Sequence, residues 1–281
     1  MRIYNELMSR HTTFKIGGPV QVMEIPESEQ ELMGVISGCI RTNIKYYIFG
    51  GGSNILVRDQ GLKGVAIKTT KACLGINQAE DNRIEVGASV RLQDFIDYCL
   101  CHDLESFEYL YSVPGTIGGA IYMNAGRGKS YNLQISNRLE SVKCFDGSNV
   151  VYLRKEQCNF GYRTSVFQKN KKMVILSAIF SFQTQPKTIG EEKVRKRMTY
   201  VMKYQDRAYP SAGSVFRSCS PHILNMLKGL RFGGAQFSKK TSNWINNAIN
   251  AKASDVLVLI AIAKVLNRVV LKNAELEIEI W

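Results

Sequence analysis

The sequence predicts an α+β protein that is divided into more than one compact unit. Short apolar runs of strand length alternate along the chain with segments whose apolar residues recur at helical spacing. The length of 281 residues exceeds the usual size of a single hydrophobic core, so two or three units are expected. The apolar content of 45% and the charged content of 22% are those of an ordinary globular protein.

The first 68 residues predict a small α+β lobe. Ser28 is followed three positions later by Glu31, a capping-box pattern that predicts the start of a helix. The apolar residues that follow recur at helical spacing. Strands are predicted at Val20–Ile25, Tyr46–Phe49, Ile55–Val57 and Gly64–Lys68.

A second unit is predicted to begin near Thr69. The pair Asp146-Gly147 lies between two alternating runs and is typical of a β-hairpin turn. The amphipathic run Leu92–Leu100 predicts a helix. Strands are predicted at Arg83–Val86, Leu139–Phe145, Val150–Leu153 and Met173–Phe182.

A change of composition at Thr184–Gly190 predicts a domain boundary. The last strand, Leu276–Trp281, alternates apolar and acidic residues, so its apolar side chains are expected to face a core. Helices of this part are predicted at Glu191–Tyr204, Ile223–Leu227 and Ser254–Leu271.

Three consecutive glycines, Gly50, Gly51 and Gly52, separate two apolar runs and are followed by Ser53 and Asn54. Glycine allows positive φ and lets a ligand approach the backbone closely. Successive backbone amides in such a turn form a concavity that favours anions, phosphates above all. A hairpin loop without a ligand is equally compatible with this stretch taken alone.

A second loop of small residues, Val113–Ala120, lies in the other predicted lobe. Two glycine-rich loops on separate lobes indicate one large nucleotide cofactor held by both. The chain has neither GxGxxG at the start of a helix nor GxxxxGK[ST], so neither a Rossmann site nor a P-loop is supported. A bulky cofactor without those motifs points towards flavin.

The formal net charge of +13 is the largest deviation in composition. The basic residues are scattered, whereas a nucleic-acid surface would cluster them on one motif. Scattered charge suits anionic small-molecule ligands or a solvated basic surface. A nucleic-acid-associated protein is the least favoured hypothesis, because aromatic and basic residues are not interleaved.

The seven cysteines are irregularly spaced and form no CxxC, which argues against a disulfide framework or a zinc site and predicts a reducing, cytoplasmic location. The three histidines lie far apart, so no metal is predicted. The N-terminus lacks the apolar core of a signal peptide. The most apolar stretch, Asp255–Leu271, is too short and too charged for a membrane span.

Several polar side chains could carry chemistry, and each has a simpler structural explanation. Arg163 could clamp a carboxylate with two parallel hydrogen bonds, or be an ordinary surface residue. Ser214 follows a glycine, where serine is more often a turn former or helix cap, and no histidine lies near it to support a hydrolase triad. Glu277 and Glu279 share a face of the last strand, and exposed edge carboxylates are the simpler interpretation.

Eight motifs along nearly the whole chain resemble the UDP-N-acetylenolpyruvoylglucosamine reductase (MurB) family. Each motif alone is weakly informative, whereas their order and spacing are highly specific. The short length is similar to the family's smaller type. The motifs are Thr12–Gly18, Gly50–Val57, Pro114–Ala120, Asn124–Gly126, Tyr162–Phe167, Ser211–Phe216, Gly233–Ala235 and Leu276–Ile280.

The resemblance implies a two-lobed FAD-binding domain of the vanillyl-alcohol-oxidase/PCMH type at residues 1–185, with the lobes divided near residue 68. A C-terminal α+β domain at residues 186–281 would bind a UDP-sugar, with its last strand returning to the active site. The implied reaction reduces UDP-N-acetyl-3-O-(1-carboxyvinyl)-glucosamine to UDP-N-acetylmuramate in peptidoglycan precursor biosynthesis. Non-covalent FAD and NADPH are the implied cofactors, and a cytoplasmic monomer that binds neither nucleic acid nor membrane is expected.

The resemblance also implies roles for individual residues. Arg163 would stabilise the negative charge that builds up on the substrate carboxylate, and Tyr162 and Arg163 would contact the substrate. Ser214 would donate the proton, and Glu279 would help to hold the intermediate in its protonated form. The implied cofactor-binding residues are Gly50, Gly51, Gly52, Ser53, Asn54, Pro114, Gly115, Thr116, Gly118, Gly119 and Asn124.

Four features depart from the family pattern. Thr241 replaces the histidine of a Ser-x-x-His-x-x-Phe motif, and Asp206 stands where proline is common. Arg127 follows Gly126 in a loop that usually carries a tyrosine, and the segment Pro221–Arg231 is shorter than usual. These departures leave an alternative open: a divergent FAD- or nucleotide-binding protein of the same fold with lost or altered reductase activity.

Overall fold

The computed structural model describes residues 1–78, 82–128 and 131–281. In these residues the chain forms two compact units, each assembled from three separate stretches. Unit 1 comprises Met1–Arg2, Glu24–Gly51 and Val65–Thr199, and unit 2 comprises Ile3–Met23, Gly52–Gly64 and Tyr200–Trp281. The domain boundary between residues 185 and 186 is a division along the sequence, and it remains a prediction.

The strands are short, and most follow the apolar runs of the sequence. In chain order they are β1 Arg2–Leu7, β2 Pro19–Glu24, β3 Tyr46–Phe49, β4 Ile55–Leu56, β5 Leu62–Lys68, β6 Ile76–Gln78, β7 Arg83–Gly87, β8 Gly126–Arg127, β9 Leu133–Gln134, β10 Leu139–Phe145, β11 Val150–Arg154, β12 Val174–Ser181, β13 Ser211–Ser214, β14 Phe216–Ser218, β15 Arg231–Phe232, β16 Ala235–Phe237, β17 Trp244–Asn247, β18 Glu275–Leu276 and β19 Glu279–Ile280.

The helices are α1 Glu29–Arg41, α2 Leu92–Cys101, α3 Ile117–Tyr122, α4 Val166–Lys169, α5 Lys187–Tyr204, α6 Pro221–Met226 and α7 Ala253–Val269. The predicted cap of α1 is present, because the Ser28 hydroxyl accepts a hydrogen bond from the Glu31 amide at 3.1 Å. Within the described part of the chain, no helix is long and apolar enough to cross a membrane.

Unit 1 is built around an antiparallel sheet of order β11-β10-β12-β7-β6. The predicted hairpin is confirmed: β10 pairs with β11 up to Phe145 and Val150, and Asp146 closes the turn by accepting from the Ser148 and Asn149 amides. Strand β3 pairs in parallel with β5. The core of the unit is rich in aromatic rings, with centroids 5.2–6.3 Å apart among Phe95, Phe107, Phe180 and Phe182.

Unit 2 contains a sheet of order β13-β17-β16-β15 and two small strand pairs, β14 with β18 and β19 with β4. Helix α7 packs against β15 and β16. The pair β19–β4 is parallel, with Glu279 opposite Ile55 and Ile280 opposite Leu56. The core of the unit therefore joins two N-terminal stretches of the chain to its C-terminal part, and its buried members include Phe14, Leu56, Val215, Phe237, Val256 and Ile278.

Two predicted elements differ from the structure by more than two residues or by an interruption. Helix α5 begins at Lys187 rather than Glu191, because the Asp103 carboxylate accepts from the Lys187 amide and fixes an earlier start. The predicted strand Leu276–Trp281 is interrupted at Glu277 and Ile278.

The interruption of the last strand has a local cause. The amides of Glu277 and Ile278 both donate to the carbonyl of Val215, at 2.8 and 3.5 Å. The segment bends there and changes partners, from β14 before the bend to β4 after it. Ile278 is still buried, and Leu276 and Ile280 pack against the core, as the alternation predicted.

Candidate functional site

The two glycine-rich loops of the sequence meet within unit 1. A Cβ atom on Gly50 would lie 2.5 Å from the Thr116 hydroxyl oxygen, and one on Gly51 would lie 3.2 Å from the Cα of Gly115. A larger side chain at either position would therefore separate the loops. The first loop ends β3, and the second leads into α3, whose N-cap is Thr116.

The backbone donors of these loops suit an anionic ligand. The amides of Gly50, Gly51, Gly115 and Thr116 donate no hydrogen bond to any residue that the structure describes. Amides of this kind, grouped where no Cβ obstructs them, attract phosphate oxygens. The residues present therefore fit the pyrophosphate of a dinucleotide such as FAD.

Other residues of the second loop are used for packing. The Gly118 amide donates to the carbonyl of Ala88 at 2.9 Å, and a Cβ on Gly118 would lie 2.9 Å from the Ala88 Cβ. The Gly119 amide donates to the Thr116 hydroxyl at 3.3 Å. Pro114 directly precedes Gly115 in the chain. The roles of Pro114, Gly118 and Gly119 in cofactor binding stay predictions.

Arg163 lies in a tight turn of unit 1 with left-handed backbone conformation, at φ 57°. Its guanidinium donates to the carbonyls of Asn124 at 3.3 Å and Gly126 at 2.7 Å. The guanidinium carbon lies 5.3 Å from the centre of the Tyr162 ring. These contacts fix the direction of the charged group and place the two residues predicted to contact the substrate side by side.

The buried residue Asn124 holds that turn in place through hydrogen bonds. Its side chain is fully buried and donates to the Gly161 carbonyl at 2.9 Å and to the Gln134 side chain. Its own carbonyl oxygen accepts from Arg163. Asn124 thus binds the turn at both Gly161 and Arg163. The sequence predicted that Asn124 contacts the cofactor, and that contact stays a prediction.

The first glycine loop continues into unit 2 at Gly52, which has φ 65°. A Cβ there would lie 2.1 Å from the carbonyl oxygen of His11, so only glycine fits. The Gly52 carbonyl accepts from the Thr13 amide at 3.0 Å. Ser53 leads from Gly52 to Asn54, whose side-chain amide donates to the Glu277 carbonyl at 3.0 Å.

Ser214 ends β13 and is half-buried. It follows Gly213, whose φ of 74° turns the chain, and it is paired with Trp244 of β17. The next residue, Val215, is almost fully buried, so the backbone on the C-terminal side of Ser214 is anchored in the core of unit 2.

Glu279 lies in β19 and is half-buried. Its carboxylate accepts from the indole Nε1 of Trp281 at 3.2 Å, and its amide donates to the carbonyl of Asn54 at 2.9 Å. The amide of Glu277, which precedes Glu279 in the same segment, donates to the Val215 carbonyl. Unit 2 therefore connects the segments that carry Ser214 and Glu279, while Arg163 and Tyr162 belong to unit 1.

Asn243 is a residue of this arrangement that sequence reasoning missed. Its side chain accepts from the Phe216 amide at 3.0 Å and donates to the Phe216 carbonyl at 2.7 Å. Its carbonyl accepts from the Val215 amide at 2.9 Å. The only sequence signal was its place in the segment Ser238–Trp244, where the chain departs from the family pattern.

A groove of about 820 Å³ also lies in unit 2. Its lining includes Lys15, Asp59, Tyr209 and Lys252 and contains none of the predicted site residues. In the described residues, no group of three or more histidine, cysteine, aspartate or glutamate side chains could hold a metal ion.

Two family models match this chain, one over each part of it. Residues 20–151 match a model described as an FAD binding domain, and residues 204–281 match one described as UDP-N-acetylenolpyruvoylglucosamine reductase, C-terminal domain. The protein is an FAD-containing oxidoreductase, which confirms the predictions of fold class and of FAD.

Curated relatives extend over most of the molecule. A UDP-N-acetylenolpyruvoylglucosamine reductase of Syntrophomonas wolfei is 38% identical over 272 residues, covering 92% of this chain and 88% of the relative. One of Clostridium kluyveri is 37% identical, covering 92% and 86%. The crystal structure of the reductase of Thermus caldophilus superposes with a TM-score of 0.80 at 27% identity, covering 100% of this chain and 98% of that one. This chain belongs to the UDP-N-acetylenolpyruvoylglucosamine reductase family.

Proposed function

We propose that this protein reduces UDP-N-acetyl-3-O-(1-carboxyvinyl)-glucosamine to UDP-N-acetylmuramate with NADPH, as a step of peptidoglycan precursor biosynthesis. The observation that carries the proposal is the connection of the Ser214 and Glu279 segments through Val215, in a chain that belongs to this reductase family. A proton donor and a carboxylate on one framework suit the addition of a hydride and a proton to a carbon–carbon double bond.

Two loops would hold the cofactor. The amides of Gly50, Gly51, Gly115 and Thr116 would bind the pyrophosphate, because they are grouped and have no partner among the described residues. When bound, FAD supplies the means to pass a hydride from NADPH to the vinyl terminus of the substrate. The protein's own part is to orient the enolpyruvyl group, exclude water and manage charge and protons.

Arg163 would stabilise the charge that develops on the substrate. Addition of a hydride to the vinyl terminus increases negative charge on the adjacent carboxylate in an enolate-like intermediate. A guanidinium whose direction is already fixed by the Asn124 and Gly126 carbonyls requires no reorientation as that charge appears. Tyr162, beside it, would contact the substrate.

Ser214 would donate the proton to the carbon next to the carboxylate. A serine hydroxyl is a weak acid, so the transfer needs a strongly basic acceptor and a site that excludes water. Glu279 would help to keep the intermediate protonated and so limit its charge. Its half-buried position and its hydrogen bond from Trp281 hold the carboxylate in one orientation.

Two of the departures from the family pattern bind each other. The Asp206 amide donates to the Thr241 hydroxyl at 2.9 Å, and proline at 206 would have no amide hydrogen for this bond. The Asp206 carboxylate accepts from Ser238 and Asn246 at 2.7 Å each. These bonds give both replacements partners within the C-terminal domain, which supports an ordered substrate domain against the alternative of lost or altered reductase activity.

We also propose that the reaction occurs in the cytoplasm and that the enzyme is a monomer. All seven cysteines are free, which supports a reducing compartment. Sedimentation of the purified holoenzyme tests the monomer.

An anaerobic two-step experiment tests the proposed function. NADPH should bleach the flavin, and addition of the enolpyruvyl substrate should restore its colour while UDP-N-acetylmuramate forms. Ser214→Ala should keep the first step and slow the second by about 10²–10⁴-fold, the usual contribution of a proton donor. Bleaching without reoxidation in the unmodified protein would contradict the function, and equal slowing of both steps in Ser214→Ala would contradict the role of Ser214.

A further inference from the structure

A continuous series of hydrogen bonds in unit 2 joins the segments that carry Ser214 and Glu279. It runs from the Val215 amide to the Asn243 carbonyl, and from the Glu277 amide to the Val215 carbonyl, at 2.9 and 2.8 Å. It continues from the Asn54 side chain to the Glu277 carbonyl and from the Glu279 amide to the Asn54 carbonyl, at 3.0 and 2.9 Å. Asn243 stands at one end of the series, and Asn54 is the last link before Glu279 at the other end.

Asn243 fixes the chain directly after Ser214. Its side-chain amide both accepts from and donates to the backbone of Phe216, so it binds that residue as a neighbouring β-strand would. This support is needed because Gly213, directly before Ser214, has φ 74° and a Cβ there would meet nothing within 4 Å. Ser214 is thus held mainly from its C-terminal side.

Asn54 fixes the chain on both sides of Ile278. Its side chain binds the carbonyl of Glu277, and its carbonyl binds the amide of Glu279. The bend at Glu277 and Ile278 interrupts the regular ladder, so the Asn54 side chain supplies a partner for the Glu277 carbonyl, while the Glu279 bond belongs to the parallel pair of β19 with β4. The family resemblance implied a cofactor contact for Asn54, and that contact stays a prediction.

We propose that Asn54 and Asn243 are positioning residues for the second half of the reaction. Asn243 holds Ser214 where its proton is delivered, and Asn54 holds Glu279 beside the same substrate carbon. The proposal rests on the proposed function, because it requires Ser214 and Glu279 to act on the substrate. A reacting group displaced by about 1 Å loses about 100-fold in rate, so small losses of backbone support should be measurable.

The test uses the purified holoenzyme and the two anaerobic steps measured separately. Asn243→Ala and Asn54→Ala should each retain flavin at the stoichiometry of the unmodified protein and be reduced by NADPH at an unchanged rate. Reoxidation by the enolpyruvyl substrate should slow by about 10- to 100-fold. If either alanine variant fails to fold, Asn243→Asp or Asn54→Asp replaces it, because aspartate keeps the shape and loses the donor.

Flavin content separates the two possible roles of Asn54. A positioning residue leaves the ratio of flavin absorbance to protein unchanged after gel filtration. Release of flavin by Asn54→Ala, with both steps slowed equally, would overturn the proposal for Asn54 and support a cofactor contact.

Double variants separate positioning from general destabilisation. Because Asn243 acts through Ser214, Asn243→Ala should cause no further slowing of reoxidation in a Ser214→Ala background. Asn54→Ala should likewise add nothing in a Glu279→Gln background. Multiplicative losses in these pairs would overturn the inference, since a structural defect acts in any background.

Asn247→Ala is the matched control. Asn247 ends β17, just after Asn243 in the chain, and its side chain also binds the backbone, accepting from Ala251 at 2.7 Å and donating to Phe14 at 3.2 Å and to Lys15 at 3.4 Å. It is outside the series that joins Ser214 and Glu279, so both steps should keep their rates. A slow Ser214→Ala beside a fully active Asn243→Ala overturns this inference alone, whereas a fully active Ser214→Ala overturns the proposed role of Ser214 as well.

Discussion

The two units hold the side chains proposed to carry the reaction in different ways. In unit 1 the guanidinium of Arg163 is itself bound, by two backbone carbonyls, and the turn below it is joined by the buried Asn124. In unit 2 Asn243 and Asn54 bind the backbone around Ser214 and Glu279, and Trp281 binds the Glu279 carboxylate as well. The Arg163 guanidinium is thus fixed by its own hydrogen bonds, whereas Ser214, the proposed proton donor, is fixed through the backbone beside it.

The difference follows from what each residue is proposed to do. An arginine side chain is long and flexible, so its charge is useful for catalysis only if hydrogen bonds fix the guanidinium in advance. A serine side chain is short, so its hydroxyl lies where the backbone puts it. Unit 1 therefore tolerates a strained backbone at Arg163, with φ 57°, while unit 2 reinforces the backbone beside Ser214.

Among the tests of this contrast between the units, the largest expected effect concerns the fixed guanidinium of unit 1. In Arg163→Lys the positive charge remains, but an ammonium cannot bind the two carbonyls and a planar carboxylate as the guanidinium does. Reoxidation of the reduced enzyme by the substrate should slow by about 10²–10³-fold, with flavin content unchanged. Stopped-flow absorbance of the flavin measures both.

Arg154→Lys is the control, because Arg154 is an exposed residue at the end of β11 and should tolerate the change. A rate for Arg163→Lys within threefold of the unmodified enzyme would show that charge alone suffices, and the contrast between the units would fail.

An intermediate effect is expected where the two glycine loops meet. In Gly50→Ala the new Cβ would lie 2.5 Å from the Thr116 hydroxyl oxygen, which caps α3. Overpacking of this kind costs about 1–3 kcal/mol, and the separated loops should bind flavin more weakly. Titration of the apoprotein with FAD, followed by fluorescence quenching, measures the change.

Gly38→Ala in α1 is the matched substitution, since a Cβ there would meet nothing within 4 Å. It should leave FAD affinity unchanged and stabilise the helix slightly. Equal affinity of FAD for both variants would mean that the close approach of the loops is not part of the cofactor site.

The smallest expected effect concerns the acid dependence of unit 2. Burial alone would raise the pKa of Asp206, but hydrogen bonds from Ser238 and Asn246 outweigh it and the pKa lies below its usual value. Stability from this group is therefore present above the unfolded pKa of about 3.9 and is lost as pH falls through the folded value.

Asp206→Asn should destabilise the protein by about 1–2 kcal/mol at pH 7 and by progressively less as the pH falls below about 4. Urea unfolding at several pH values measures the difference. Asp146→Asn in unit 1 serves as the comparison, because Asp146 also has a lowered pKa but lies in an exposed hairpin turn. A difference for Asp206→Asn that is constant with pH would refute the linkage.

Local patterns predicted local structure well. The serine cap of α1, the hairpin at Asp146 and Gly147, and the strand Tyr46–Phe49 are all present, because each depends on residues close together in the chain. The last strand was predicted as continuous, and it is interrupted because Val215, about 60 positions away in sequence, accepts from its amides. No pattern within Leu276–Trp281 contains that information.

The same limit applies to the candidate site. Motif order was enough to name Arg163, Ser214 and Glu279 and to predict an FAD-containing fold, and the family and the cofactor are confirmed. The sequence also grouped Asn54 and Asn124 with the cofactor loops, because each lies in or near a glycine-rich stretch. The structure shows their side chains bonded to the backbone of Glu277 and Gly161.

By itself the sequence determined the fold class, the family and the residue types available for the reaction, because these depend on composition, periodicity and motif order. Only the tertiary structure decided which backbone each asparagine binds, where the last strand bends, and that Gly50 and Gly51 lie against Gly115 and Thr116. These features depend on hydrogen bonds and close contacts between residues far apart in the chain. Such contacts exist only after the core of each unit has brought distant segments together.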